Sequence, residues 1–215
     1  MTSLAQVTAA LNPDRPLLIV DADEVLLRFV EHLENFFLTE GFELRLTSFQ
    51  LFGNIYCTRS NEVAPPTKVK QLIDLFFTNC VDTVPAVPGA ADALRNLSDH
   101  YEIVVLTNVP HESRARREVA LRELGFAYPV LSNTGEKGPA VKTLQSATAK
   151  HAAFVDDLPP QLASVANHAP DTHLVHFVAD PRLAAMIDQA PDAHVRIDHW
   201  PSLQIHLEKL ATATK

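Results

Sequence analysis

Three acids, Asp21, Asp23 and Glu24, stand directly behind four aliphatic residues in the stretch LLIVDADEVLL, residues 17–27. Carboxylates this close repel one another, and a place at the end of an apolar strand adds a desolvation cost to each. Service as turn acids or helix caps leaves that cost unanswered. A cation among them, or an anionic substrate held through a cation, answers it. The same arrangement recurs along the chain. Asp156 and Asp157 follow AAFV, Thr107 and Asn108 follow EIVVL, and Lys137 stands just beyond VLSNTG. In a parallel α/β sheet, ligands bind beyond the carboxyl ends of the strands. If these strands are neighbours, four acids, one hydroxyl and one ammonium converge on one edge.

The elements that would carry them are legible from hydrophobic pattern. LLIV (17–20), YEIVVLT (101–107) and AAFV (152–155) are too short for helices and continuously apolar, as strands covered on both faces are; PVLS (129–132) and HLVHFV (173–178) follow the same pattern. Between them lie helical segments. GAADALRNLSDH follows Pro88. ESRARREVALRELGF carries Val119, Leu121 and Leu124 at helical spacing and stops at Gly125. PAVKTLQSATAK and PPQLASVANHA open with proline, which a first helical turn tolerates. This alternation predicts a parallel sheet flanked by helices. Residues 28–85 interrupt it. RFVEHLENFFLTEGF reads as a helix ending near Gly41, and VKQLIDLFFTNCV as another with Val69, Leu72, Ile73 and Phe76 on one face; NIYCTRSNEVAPPT between them reads as loop. The expected organisation is a main α/β domain of residues 1–27 and 86–215 with a mostly helical insert, 28–85. A strand-like HVRID and a helical PSLQIHLEKL complete the main domain.

The four motifs, in this order, resemble those of the haloacid dehalogenase superfamily, specifically its phosphatase branch with a small helical cap inserted after the first strand. The resemblance spans residues 17 to about 165. It implies a Rossmann-like parallel sheet with a small, mostly helical cap, and Mg²⁺-dependent hydrolysis of a phosphomonoester of a small metabolite. Asp21 matches the nucleophile that forms an aspartyl-phosphate, and Asp23 the general acid/base. Thr107 and the Asn108 backbone amide match the groups that bind the transferring phosphoryl oxygens. Lys137 matches the lysine that neutralises phosphate charge, although Lys142 lies close by in the same helical region. Asp157 matches the acid that binds Mg²⁺ together with Asp21 and the backbone carbonyl of Asp23, with Asp156 as a helper. Mg²⁺ prefers such hard oxygen donors. The acid at Asp23 favours a phosphatase or phosphomutase over a dehalogenase, which has no alkoxide to protonate. A non-catalytic binding protein of the same fold is the alternative from another class. Glu24 occupies a position where this family commonly has glycine; it reads either as a solvated loop acid or as a contact to substrate or cap.

Bulk properties narrow the rest. A net charge of -8 over 215 residues disfavours a nucleic-acid binder, yet one local positive site suffices for a small phosphorylated metabolite. The first residues lack the pattern of a secretion signal, and no apolar run approaches the ~20 residues of a membrane span. Cys57 and Cys80 read as reduced thiols. We therefore expect a cytoplasmic protein with no membrane partner. The ten histidines form no metal-binding pair; His173 and His176 face opposite sides of a strand. His111 and Arg114 read as a solvated helix start or as groups at the mouth of the site. Phe29, Phe36, Phe37, Phe52, Tyr56, Phe76 and Phe77 are expected to form the core of the insert and its contact with the main domain, with one or two of them lining a substrate pocket, and Arg59 and Lys68 read as solvated charges or contacts to a polar substrate group.

Overall fold

The computed structural model describes residues 3–213. The chain runs α1 Leu4–Ala10, β1 Leu17–Val20, α2 Phe29–Thr39, β2 Phe42–Leu44, β3 Ile55–Cys57, α3 Pro66–Cys80, α4 Ala90–Leu97, β4 Glu102–Thr107 and α5 Arg114–Glu123. It continues with β5 Val130–Ser132, α6 Gly138–Gln145, β6 Ala152–Asp156, α7 Pro159–His168, β7 His173–His176, α8 Pro181–Ala184, β8 Val195–Arg196 and α9 Trp200–Ala213. Six strands form one parallel sheet in the order β5-β4-β1-β6-β7-β8. The first strand is thus central, and the chain departs from it first to one side and then to the other. Crevices open at such a switch point.

The run LLIV is apolar throughout because it serves two cores. Leu18 and Val20 pack into the cluster on one face of the sheet, Leu17 and Ile19 into the cluster on the other. Val20 is level with Val105 on one side and Val155 on the other. Asp21, Leu106 and Asp156 therefore come next together at the same edge. The alternation of strands and helices is as expected, and among the described residues no helix is long and apolar enough to cross a membrane. Both cysteines are free thiols.

Residues 28–85 hold α2 and α3 and, in addition, a two-stranded antiparallel ladder. Phe42 pairs with Cys57 and Leu44 with Ile55. NIYCTRSNEVAPPT is therefore not wholly loop: β3 lies inside it. A three-residue strand is too short to show a period, and it exists because β2 supplies the hydrogen bonds. Phe29, Phe36, Phe76 and Phe77 do form an aromatic cluster, with Phe29 edge-on to Phe76 at 5.3 Å and Phe36 edge-on to Phe76 at 5.6 Å, and Phe37 is buried. Phe52 departs from the expectation and is about half exposed. Tyr56 stacks under the Arg45 guanidinium instead of joining the core.

Helix α5 also differs in detail. Val119 is exposed, and the buried face is formed by Arg114, Arg117, Ala120 and Leu121. At the far end, α9 docks across the main domain. Trp200 is fully buried, and its indole N–H donates to the carbonyl of Val25 at 2.8 Å.

Candidate active site

Each acid arrives at the sheet edge with its backbone fixed. The amide of Asp21 donates to the Val155 carbonyl at 2.9 Å, locking the first strand end to the fourth motif. Lys137 is the N-cap of α6 and its side chain is almost fully buried. Its Nζ lies 2.7 Å from Asp156 Oδ2, to which it donates a hydrogen bond, and 2.7 Å from Asp21 Oδ1, off the line a hydrogen bond needs. Burial opposes the ammonium charge, but the two carboxylates outweigh it and raise the Lys137 pKa. Lys142 points to solvent, so geometry brings only Lys137 into the cluster. The glycine after Lys137 permits this placement. A Cβ on Gly138 would meet the Ser164 carbonyl oxygen at 2.4 Å, so only glycine lets α6 start this close to α7.

Asp21, Asp156 and Asp157 each offer a carboxylate oxygen, and these oxygens all lie within 4.8 Å of one another. All three residues are buried. Burial pushes the Asp156 carboxyl up to about 6 despite Lys137, and burial with repulsion from Asp156 and Asp21 pushes Asp157 well above the usual carboxylate range. One ammonium cannot balance three buried acids, which is the electrostatic setting a divalent cation relieves. The donors are hard oxygens, as Mg²⁺ requires, so the residues present fit that ion. Asp156 is already committed to Lys137 and to the Leu158 amide at 2.9 Å, leaving Asp21 and Asp157 as the freer ligands. The loop carrying Asp157 is braced from behind by His176, a fully buried imidazole that accepts from the Ala190 amide and donates Nε2–H to the Asp157 carbonyl at 3.0 Å. Burial lowers the His176 pKa and keeps the ring neutral. His173, on the opposite face, contacts His206 at 2.9 Å and stacks on His194.

Thr107 closes the third side. It is fully buried, and its hydroxyl has no hydrogen-bond partner among the described residues. A buried hydroxyl left unpaired costs free energy unless a ligand satisfies it. Asn108 spends its side chain on structure, donating to the Gly135 carbonyl and accepting from Asn133, both at 2.9 Å.

Asp23 pairs with a residue the sequence did not single out. Arg117 of α5, fully buried, places Nη2 at 3.1 Å from Asp23 Oδ1, again off hydrogen-bond alignment. Burial raises the Asp23 pKa, and Arg117 pulls it back down. A signal for Arg117 existed: Arg114, Arg117, Ala120 and Leu121 share one helical face, which would bury an arginine beside apolar neighbours. Of the two readings of Glu24, the contact to residues of the insert is the one the structure shows. Glu24 adopts a left-handed backbone (φ 58°) and is buried, not solvated. Its carboxylate accepts from the amide of Val30 in the first turn of α2 at 2.7 Å and from the amide of Asp180 at 3.0 Å. These bonds tie the insert to the main domain and offset the backbone strain. Burial drives its pKa up to about 7.

Asp21, Asp23, Glu24, Thr107, Asn108, Lys137 and Asp157 all line one cavity of about 220 Å³, covered by residues of the insert. His111 and Arg114 do not reach it. They face a separate groove, where His111 contacts Ser132 and Arg114 binds the Val130 carbonyl. Arg59 is exposed and Lys68 lies over the Phe42 ring, so neither reaches the cavity.

No family model matches the chain, and no curated protein does. Solved structures do. One is a HAD family hydrolase from Deinococcus radiodurans with bound phosphate and sodium (15% identity, 95% of this chain and 99% of that chain, TM-score 0.60). A second is a HAD-hydrolase candidate from Bacillus subtilis bound to magnesium (14% identity, 91% and 99%, TM-score 0.63). A third is an L-2-haloacid dehalogenase (9% identity, 91% and 99%, TM-score 0.59).

Proposed function

We propose that this chain, which has the haloacid dehalogenase-like fold, is a Mg²⁺-dependent phosphomonoester hydrolase acting on a small metabolite through an aspartyl-phosphate. The observation that carries this reading is the three-carboxylate cluster with an unpartnered, buried threonine hydroxyl, Asp21, Asp157 and Thr107 all lining one cavity. The magnesium and phosphate described in two proteins of the same fold agree with it.

In the first half-reaction a carboxylate oxygen of Asp21 attacks phosphorus. The bond from phosphorus to the ester oxygen breaks, and Asp23 gives its proton to the departing alkoxide. In the second, Asp23 takes a proton from water, whose oxygen attacks phosphorus and releases inorganic phosphate and the Asp21 carboxylate. Thr107 donates to a phosphoryl oxygen, and Lys137 offsets charge on the same group. Asp21 and Asp157, with Asp156 as helper and the Asp23 carbonyl, are the groups that would hold the metal. When bound, Mg²⁺ supplies countercharge to these acids and polarises phosphoryl oxygens. Asp23 also distinguishes this chemistry from dehalogenation, because halide leaves without needing a proton.

The test is release of phosphate from p-nitrophenyl phosphate with Mg²⁺ and with the metal removed by EDTA. Metal-dependent turnover is expected. Absence of turnover in both conditions, across several phosphomonoesters, would favour a non-catalytic binding protein, and a requirement for a bisphosphate activator would identify a phosphomutase.

A further inference from the structure

The cavity has two unlike halves. The charged half is the catalytic floor just described. The other half is formed by Phe29, Leu46, Phe49, Leu51, Leu158 and Leu183, with Gln50 the single neutral polar side chain there. Among the described residues that line the cavity, Lys137 is the only cation, and it is committed to Asp156 and Asp21. The insert, which covers the site, therefore brings no positive charge to it.

This wall is a built surface. Leu46, Phe49 and Leu51 belong to the connection between β2 and β3, and that connection is knit around one buried amide. Asn54 is 4% exposed, and its Nδ2 donates to the carbonyls of Gln50 at 2.7 Å and Ser48 at 3.2 Å, while its Oδ1 accepts from the Thr47 hydroxyl at 2.6 Å. The loop is thus held in a shape that turns its apolar side chains toward the catalytic acids.

Such a wall discriminates by chemistry. A second phosphate or a carboxylate on the substrate would lose its water against leucine and phenylalanine and would also face Asp23 and Glu24. Each hydroxyl of a polyol would lose water without gaining a partner. The size is restrictive too, because 220 Å³ lies below the roughly 300–1,000 Å³ of ordinary ligand pockets, and the phosphoryl group takes part of it. Resting on the hydrolase reading above, we propose that the substrate is the phosphate ester of a short, uncharged, largely apolar alcohol, and that the 46–51 loop selects it.

The test compares n-butyl phosphate, glycerol 3-phosphate and 3-phosphoglycerate as substrates with Mg²⁺, beside binding of butylphosphonate, which cannot be hydrolysed. We expect kcat/KM for butyl phosphate to exceed that for glycerol 3-phosphate by about tenfold and that for 3-phosphoglycerate by about a hundredfold. The variant Leu51→Arg should narrow or reverse the gap to 3-phosphoglycerate. Faster cleavage of glycerol 3-phosphate or 3-phosphoglycerate would overturn the substrate class and leave the hydrolase reading standing. Tight butylphosphonate binding without turnover of any ester would do the opposite. Neither binding nor turnover would overturn both.

Discussion

The floor and the roof of the cavity are made on different plans. The floor is assembled from three separate strand ends and one helix start, and its charged groups are largely buried, with Asp21 and Asp156 beside Lys137 and Asp23 beside Arg117. The roof comes mainly from residues 29–51, with Leu158 and Leu183 beside them, and is apolar with a single amide. On the proposed function, reactivity belongs to the floor and selection to the roof. That division predicts that changes to the floor abolish rate, whereas changes to the roof redirect it.

The largest effect is expected at Asp21. Asp21→Asn should lower phosphate release by about four orders of magnitude while leaving the circular dichroism spectrum intact; near-normal turnover would remove the nucleophile from the floor. Lys137→Met should follow, with kcat down about a thousandfold. Because it strands two buried carboxylates, it should also destabilise the fold by about 3–5 kcal/mol in urea titrations. Lys142→Ala, on the solvent face of the same helix, is the control and should change stability by less than about 0.5 kcal/mol. Arg117→Met tests whether the floor extends to α5. If the guanidinium holds Asp23 in position, kcat should fall about tenfold to a hundredfold with KM unchanged; a loss confined to stability would reduce Arg117 to packing.

The smallest effect concerns pH. Glu24 titrates at about 7 in the folded chain against 4.5 as a free side chain, Asp156 at about 6 against 3.8, and Asp157 is shifted in the same direction. Between the ordinary carboxylate range and neutrality the folded state therefore binds more protons than the unfolded one. Its stability is highest at acid pH and declines as pH rises through the folded values. Without metal, Tm should drop by a few degrees between about pH 4.5 and pH 7. Added Mg²⁺ should flatten that slope through the floor acids but not through Glu24, which a Glu24→Gln variant would isolate.

The floor was legible in the sequence because its chemistry obeys short-range rules. An aliphatic run followed by an acid reads as a buried strand reaching a ligand edge, and Asp21, Thr107, Lys137, Asp156 and Asp157 all meet where that reading puts them. The proximity of Gly138 to α7 could not be read, but its consequence, a lysine held at a helix start, could. Arg117 was hidden because five charged residues in ARREVALRE make the helix look solvated. Its burial depends on the helix's neighbours, not on its own composition. Glu24 was ambiguous for a related reason: the amides that bind it belong to residues 30 and 180, and the second is remote in sequence. The roof was the least legible part. Leu46, Phe49 and Leu51 lie in irregular chain, and what orients them is the set of contacts around Asn54.

The bond from Trp200 to Val25 has a consequence for the order of events in the life of the molecule. The turn that follows Asp21 is seated by a residue synthesised 175 positions later than Val25. A ribosome-bound chain can present all the acids and still lack the support that aims them. Activity should therefore switch on only when α9 docks, which makes catalysis a reporter of completed folding.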